Sequence, residues 1–345
     1  IINEGIPVFK LPHRKFEIRS FLALLKWTKV NGIMIVHSHG RGAGVYARLL
    51  KLFNKRLKVV HNFHGIHIEK KGLALIVARL LGVLTNKFVL VSRSEQQIAV
   101  KYGLASASKC VLIENGIQIE NGKQIEREEL PVSEVFFESL PPDRFVIGML
   151  SRFDIIKNIP YAIRSLSDYM KSHDDVFLVI GGDGEARREI EIAVSECNLQ
   201  GKVMLLGFIN DVKFFFSLID VYLNTSLGEA FGFSTVEAMK YGVPVVASNV
   251  YGNSDVIDDN NTGLLFPLDK PVLLAEKINI LKNDKKAYDR LTKGASRIFK
   301  KRFNLKRTLE ETSELYLSFT PDVWKRIKMR IGINASKIYD VHTGV

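Results

Sequence analysis

"SLGEAFGFSTVEAMKYGVPVVAS", residues 226–248, carries two glutamates eight positions apart, Glu229 and Glu237. Glu229 follows the apolar, β-branched run "VYLNTS" (221–226) and lies among glycines. Gly228 and Gly232 allow a backbone to come close to a ligand. Ser234 and Thr235 begin the helix that follows, whose free N–H groups and dipole suit a phosphate. One carboxylate is then placed for a sugar hydroxyl and the other for a diol such as ribose. Phe231, Gly232, Phe233, Ser234 and Thr235 complete the candidate binding loop. A plainer reading stands beside this one for Glu237. Ser234 and Glu237 fit a capping box, in which the glutamate merely satisfies a backbone N–H. That reading leaves Glu229, Gly232 and the paired spacing unexplained.

On both sides of this stretch, short β-branched runs alternate with longer amphipathic ones, the pattern of parallel sheets covered by helices. Strands are expected at 145–151, 176–182, 202–207, 221–226, 244–248 and 263–267, with a helix over 160–171 that opens on Pro160. Long polar-faced helices follow over 272–319. An earlier series places strands at 7–11, 32–39, 57–64, 87–92 and 109–116, and helices at 21–30, 44–53, 73–84 and 95–102. A Glu- and Pro-rich stretch with Pro131, Pro141 and Pro142 separates the two series. The expected domains are 1–118, a linker at 119–144, and 145–319, followed by a closing segment at 320–328. Two domains also suit 345 residues at about 100–200 per domain. Ligands of such sheets sit at the carboxyl ends of strands, where Glu229 falls.

Arg152 and Lys157 in "SRFDIIKNIP" (151–160) also follow a strand. An arginine fork and a mobile ammonium both suit diphosphate oxygens. Alone, each is equally a solvated surface cation, and Asp154 is a ready ion-pair partner for either. Further on come "VFLVIGGDGE" (176–185), "VMLLGFINDV" (203–212) and "VLIENGIQ" (111–118). Together these segments resemble, in the same order, the family 4 retaining glycosyltransferases with their Glu-x7-Glu signature. The resemblance runs from about residue 37 to residue 267. It implies a GT-B fold: two doubly wound, Rossmann-like α/β domains facing a central cleft. It implies that Arg152 and Lys157 grip the donor diphosphate, that Glu229 positions the sugar, and that Glu237 takes the ribose. Gly207 and Phe208 would meet the nucleotide base. His64, in "HNFHG" (61–65), would contact the donor sugar, and His37 and His39 would line the acceptor side. For all three, an ordinary strand-end histidine is the competing reading. The resemblance further implies front-side attack with retention, the leaving phosphate helping to deprotonate the acceptor. Expected ligands are a UDP- or GDP-sugar donor and a saccharide or lipid-linked saccharide acceptor, as in lipopolysaccharide, capsule or glycan assembly, with no separate cofactor. No Asp-x-Asp occurs and no His/Cys cluster has metal spacing, so metal assistance is not expected.

Charge is unevenly spread. Residues 1–118 hold 19 Lys and Arg against five Glu and no Asp, a net +14, whereas the rest of the chain nets −2. Such a domain attracts anions: phospholipid headgroups, a lipid diphosphate or nucleic acid. A solvated basic face is the bland alternative. Neither aromatic stacking platforms nor a basic recognition helix is evident, which argues against nucleic acid. Only two cysteines, Cys110 and Cys197, occur, consistent with a reducing compartment. A cytoplasmic enzyme, peripheral on the inner membrane face, is the expectation. Relative to the family, the opening strand and Gly-rich loop are missing at Ile1, while "MRIGINASKIYDVHTGV" (329–345) resembles such an opening. A fragment of a tandem protein explains both observations; a permuted strand is the alternative. "YGNSDVI" (251–257) also departs from the family pattern at Ser254 and Asp255. Rival functions are a same-fold sugar-nucleotide epimerase or phosphorylase, and a non-catalytic sugar-nucleotide binder.

Overall fold

The structure is a computed structural model that describes residues 8–9, 11–12, 16–66, 73–118 and 141–321. It divides into two compact units, residues 1–114 with 308–345, and residues 115–307. Residues 8, 9 and 11 of the strand expected at 7–11 are described and are not in a strand; residues 7 and 10, most of the linker at 119–144, most of the closing segment and the opening-like segment at 329–345 lie outside the described residues.

The first unit contains α1 (Ile18–Val30), β1 (Ile35–His39), α2 (Gly40–Phe53), β2 (Lys58–Asn62), α3 (Leu73–Val83), β3 (Lys87–Leu90), α4 (Arg93–Lys101) and β4 (Cys110–Leu112). Its four strands form one parallel sheet in the order β1-β2-β3-β4. Val59 and Val60 of β2 and Phe88 and Leu90 of β3 are buried, as two-sided cover requires. Phe21, Tyr46 and Leu50 pack one face.

The second unit follows the same rule at greater length. Its elements are β5 (Phe145–Leu150), α5 (Ile159–Ser172), β6 (Val176–Gly181), α6 (Arg187–Glu196), β7 (Val203–Gly207), α7 (Val212–Ser217), β8 (Val221–Asn224), α8 (Phe233–Lys240), β9 (Val245–Ser248), α9 (Asn253–Val256), β10 (Leu264–Phe266), α10 (Pro271–Asn283) and α11 (Lys285–Arg302). The six parallel strands run β10-β9-β8-β5-β6-β7. From β5 the chain builds outward to β7, then returns to place β8 on the other side of β5. Strand order therefore reverses between β5 and β8, and the carboxyl ends of those two strands flank the switch point where doubly wound sheets take ligands. Ile147, Leu178, Val221, Leu223 and Val246 are fully buried beneath it.

One boundary differs from the sequence expectation of a second domain over 145–319. The last helix among the described residues, α12 (Leu305–Ser318), leaves the second unit at Arg307 and belongs from Thr308 onward to the first. The Thr308 hydroxyl donates to the Glu114 carbonyl at 2.8 Å. Leu315, Tyr316 and Phe319 pack with Val60, Val89 and Ile113. An amphipathic stripe states that a helix is covered, but not by which core, so the exchange was not legible from periodicity.

Candidate active site

The turn after β5 presents Arg152 and Lys157. Fully buried Phe153 anchors it, and Asp154 caps the short 3₁₀ turn 155–157 by accepting from the Lys157 N–H at 3.1 Å. The loop after β8 presents Glu229. The Lys157 Nζ lies 2.6 Å from Glu229 Oε1, and the Ser226 hydroxyl donates to the same oxygen at 2.7 Å. Lys157 and Glu229, 72 residues apart, thus meet across the switch point. Both are largely shielded, at 23% and 11% exposure, so the ammonium and carboxylate are held rather than waving in solvent. Arg152 differs: its guanidinium is tied to Asp154 at 2.6 Å and is 75% exposed. Asp154, expected as an ion-pair partner for either cation, is the partner of Arg152.

The glycines are set by close approach. Gly252 has φ +83, and a β-carbon there would collide with the Glu229 backbone carbonyl. Gly228 lies directly against the Tyr251 ring. The Glu229 N–H donates to the Tyr251 carbonyl at 3.1 Å, which closes this dovetail of two loops.

α8 begins two residues earlier than the capping-box reading requires. Its N-cap is Gly232, at φ 84 and ψ 61, and no side chain caps it. Ser234 is therefore inside the helix and Glu237 is its fifth residue, so the two do not form a capping box. The uncapped first turn leaves backbone N–H groups for an anion. Burial pushes the Glu237 carboxyl above the usual carboxylate range, with Lys240 opposing. The buried Tyr222 hydroxyl donates to the Leu150 carbonyl and contacts Ser234, and its pKa is raised by burial and then by the charges of Glu229 and Glu237. Both motif glutamates therefore lie within electrostatic reach of the Tyr222 hydroxyl.

The remaining candidates divide. Phe231 is buried against Phe303 at 5.6 Å, a packing role, whereas Phe233 is 52% exposed. The Thr235 side chain faces inward, 3.3 Å from Asn224 Nδ2, which leaves only its backbone for a ligand. Gly207 has φ +72 with open space around it, beside a highly exposed Phe208. Sequence reasoning missed the buried polar frame under the loop. Asn224 accepts from the Ser226 N–H, Ser248 donates to the Ser226 carbonyl, and fully buried Asn253 ties Ser248 to Asn224. The motif around 251–257 departs from its family here, yet Asn253 supplies the brace.

In the first unit, His37, His39 and His64 come together at the carboxyl ends of β1 and β2. His39 Nδ1 and His64 Nε2 are 2.7 Å apart, and the His37 and His39 rings are 4.3 Å apart. His37 Nδ1 meets the Tyr316 hydroxyl of α12 at 2.6 Å. His64 has φ 55, unusual for a non-glycine. Glu95 steadies its loop: buried, it accepts from the Gly65 N–H at 2.7 Å and the Val91 N–H at 3.0 Å. Tyr316 and Glu95 were not foreseen. The Ser-x-x-Glu spacing of Ser92 and Glu95 was the available signal for the second. Among the described residues no group of three or more side chains is arranged to hold a metal ion.

Burial, and then the charges of His39 and His64, lower the His37 pKa to about 4. Burial also lowers His39 and His64. These groups are neutral at pH 7. Unfolded histidines take up protons near pH 6.5, before folded His37 does. Its contribution to stability is thus intact above pH 6.5 and is lost as pH falls toward about 4. The melting temperature is expected to drop across that window, and less steeply in His37→Gln. An identical pH dependence in the variant would refute the assignment.

Residues 133–297 match the family model described as "Glycosyl transferases group 1", and residues 2–121 the model described as "Glycosyltransferase Family 4". The chain is 24% identical over 314 residues to the UDP-Gal:alpha-D-GlcNAc-diphosphoundecaprenol alpha-1,3-galactosyltransferase of Escherichia coli, covering 87% of this chain and 79% of that protein. It is 24% identical over 311 residues to the capsular polysaccharide biosynthesis glycosyltransferase CapM of Staphylococcus aureus, covering 88% and 81%. A solved glycosyltransferase from Rickettsia africae superposes with a TM-score of 0.80 at 20% identity, over 93% of this chain and 87% of that one. Anabaena HepE, solved with UDP and glucose, gives 0.76 at 22% identity, over 87% and 82%. Fold and site define a glycosyltransferase of the GT-B class. The chain belongs to glycosyltransferase family 4.

Proposed function

We propose that this enzyme moves a hexose, with retention of configuration and without a metal ion, from a nucleotide sugar to a saccharide carried on a lipid. The observation that carries this reading is the Lys157–Glu229 pair at the switch point of the second sheet. Arriving diphosphate draws Lys157 away from Glu229. The freed carboxylate then accepts from a sugar hydroxyl, while Lys157, with Arg152 swung off Asp154, meets the charge that grows on the leaving diphosphate. Glu237 takes the ribose diol, the first-turn N–H groups of α8 take phosphate, and Phe208 flanks the base. His64 is the group from the first unit assigned to the donor sugar. The leaving phosphate accepts the acceptor proton.

A UDP-linked donor is favoured because HepE was solved with UDP and glucose, and because the E. coli relative is named for UDP-Gal. That relative is also named for a diphosphoundecaprenol acceptor, which supports a lipid-linked acceptor. Thermal-shift screening of UDP-, GDP- and ADP-sugars identifies the donor. Product NMR then reports the anomer, and EDTA tests metal dependence. An inverted product, or activity abolished by EDTA and restored by a divalent cation, sinks the corresponding part of the proposal.

A further inference from the structure

α3 has the sequence LALIVARLLGV, and Arg79 is its only charged residue. Ile76, Val77, Leu80 and Val83 are 43–73% exposed. At 100° per residue these four fall on one arc of about 120°. Gly82 lies on the opposite side, where a β-carbon would come 2.8 Å from the Leu104 carbonyl oxygen. The stripe therefore points away from the core, at the spacing of a face built to be covered.

Its surroundings state the chemistry of the cover. Arg79 Nε donates to the Tyr102 carbonyl at 2.8 Å, and Lys101 lies over the Tyr102 ring. Lys109 Nζ donates to the Val83 carbonyl at the end of α3. Lys58 and Lys109 each lie close enough to Lys51 to lower its pKa, after burial. Between residues 73 and 113 the one acidic residue is Glu95, whose carboxylate is engaged in the interior by backbone N–H groups. An apolar stripe rimmed by cations, with no exposed acid among the described residues from 73 to 113, complements an anionic lipid surface. A second copy of the chain would bring the same cations against these.

We infer that the α3 face, Ile76, Val77, Leu80 and Val83 with Arg79, Lys101 and Lys109, docks the enzyme on an anionic bilayer. The stripe enters the headgroup region and the cations meet lipid phosphates. This specifies the surface behind the lipid-linked acceptor reading and rests on that reading for its purpose, but its test needs no acceptor.

The full chain is floated with vesicles of phosphatidylglycerol and phosphatidylcholine, and with phosphatidylcholine alone. Leu80→Gln/Val83→Gln is compared with the wild type, and the thermal shift given by UDP-sugar is recorded for both. Binding to the anionic vesicles is expected, with at least about a tenfold fall for the double variant from the lost apolar burial and an unchanged donor shift. No wild-type binding to anionic vesicles overturns the inference, as does equal binding by the double variant. A wild-type dimer that the double variant converts to monomer also overturns it, by showing that the face joins copies. Vesicle binding as expected, with no transfer to any lipid-linked acceptor, would instead sink the acceptor reading and leave the surface standing.

Discussion

Alanine at Lys157 or at Glu229 lowers the rate of sugar transfer by at least about 10²-fold, while the protein keeps its fold. The magnitude is that of removing one preorganised group from a site where charge develops in the transition state. Lys157 is singled out because its ammonium is placed at the switch point at only 23% exposure, where it is poorly screened. Without it, the diphosphate leaves against Arg152 alone, which starts from a solvent-exposed pair with Asp154. Glu229 is singled out because its neighbours define its position: Ser226 on one oxygen, Tyr251 on its N–H and Gly252 beneath its carbonyl.

The fold is kept because neither variant leaves a charge without any partner or solvent. In Lys157→Ala, Glu229 keeps the Ser226 hydroxyl; in Glu229→Ala, Lys157 reaches water. Glu229→Gln separates two roles. It still accepts from Ser226 and from a sugar hydroxyl but loses the ion pair with Lys157. If positioning the sugar is what matters, it retains more activity than the alanine variant. Steady-state kinetics beside thermal melts decide the matter. A purely structural bridge predicts the reverse result: both alanine variants melt early and the folded fraction transfers at wild-type rate.

Much of this site is legible in the sequence because its parts are local. Glu229 and Lys157 each sit a few residues beyond a strand whose β-branched run announces it, and parallel sheets place such residues at one edge. Their meeting follows from β8 lying beside β5, a consequence of the doubly wound order. What is not legible depends on distant packing. Nothing in the stripe of α12 itself tells that Tyr316 reaches His37 from 279 residues away. The Asn224, Ser248 and Asn253 frame uses residue types common in any turn, and only burial reveals it. The capping box at Ser234 failed for a local reason. Gly232 at φ 84 starts the helix earlier, and a spacing rule of three residues cannot tell a cap from a first-turn serine.

The largest expected stability effect comes from Gly182→Ala. Gly182 has φ +130, where an L side chain is strained, and its β-carbon would overlap the Ser151 carbonyl oxygen. Relief by movement is blocked. Three backbone hydrogen bonds zip these loops together: Gly182 N–H to the Gly207 carbonyl at 2.6 Å, Ser151 N–H to Gly181 at 3.1 Å, and Phe153 N–H to Asp183 at 2.9 Å. Alanine therefore adds strain and breaks part of the zipper, a loss on the order of 3–5 kcal/mol. The same displacement carries the turn bearing Arg152 and Lys157, so donor affinity falls in whatever fraction stays folded. Gly201→Ala is the control: its β-carbon would meet nothing within 4 Å, and its φ lies outside the glycine-favouring range. There the narrower unfolded ensemble leaves stability unchanged or slightly raised. Urea unfolding of the two variants, with donor titration of the folded fractions, makes the comparison. Equal midpoints would show that the 151–153 and 181–184 loops yield freely. The cations would then have to be held in place by the pairs Lys157–Glu229 and Arg152–Asp154 alone.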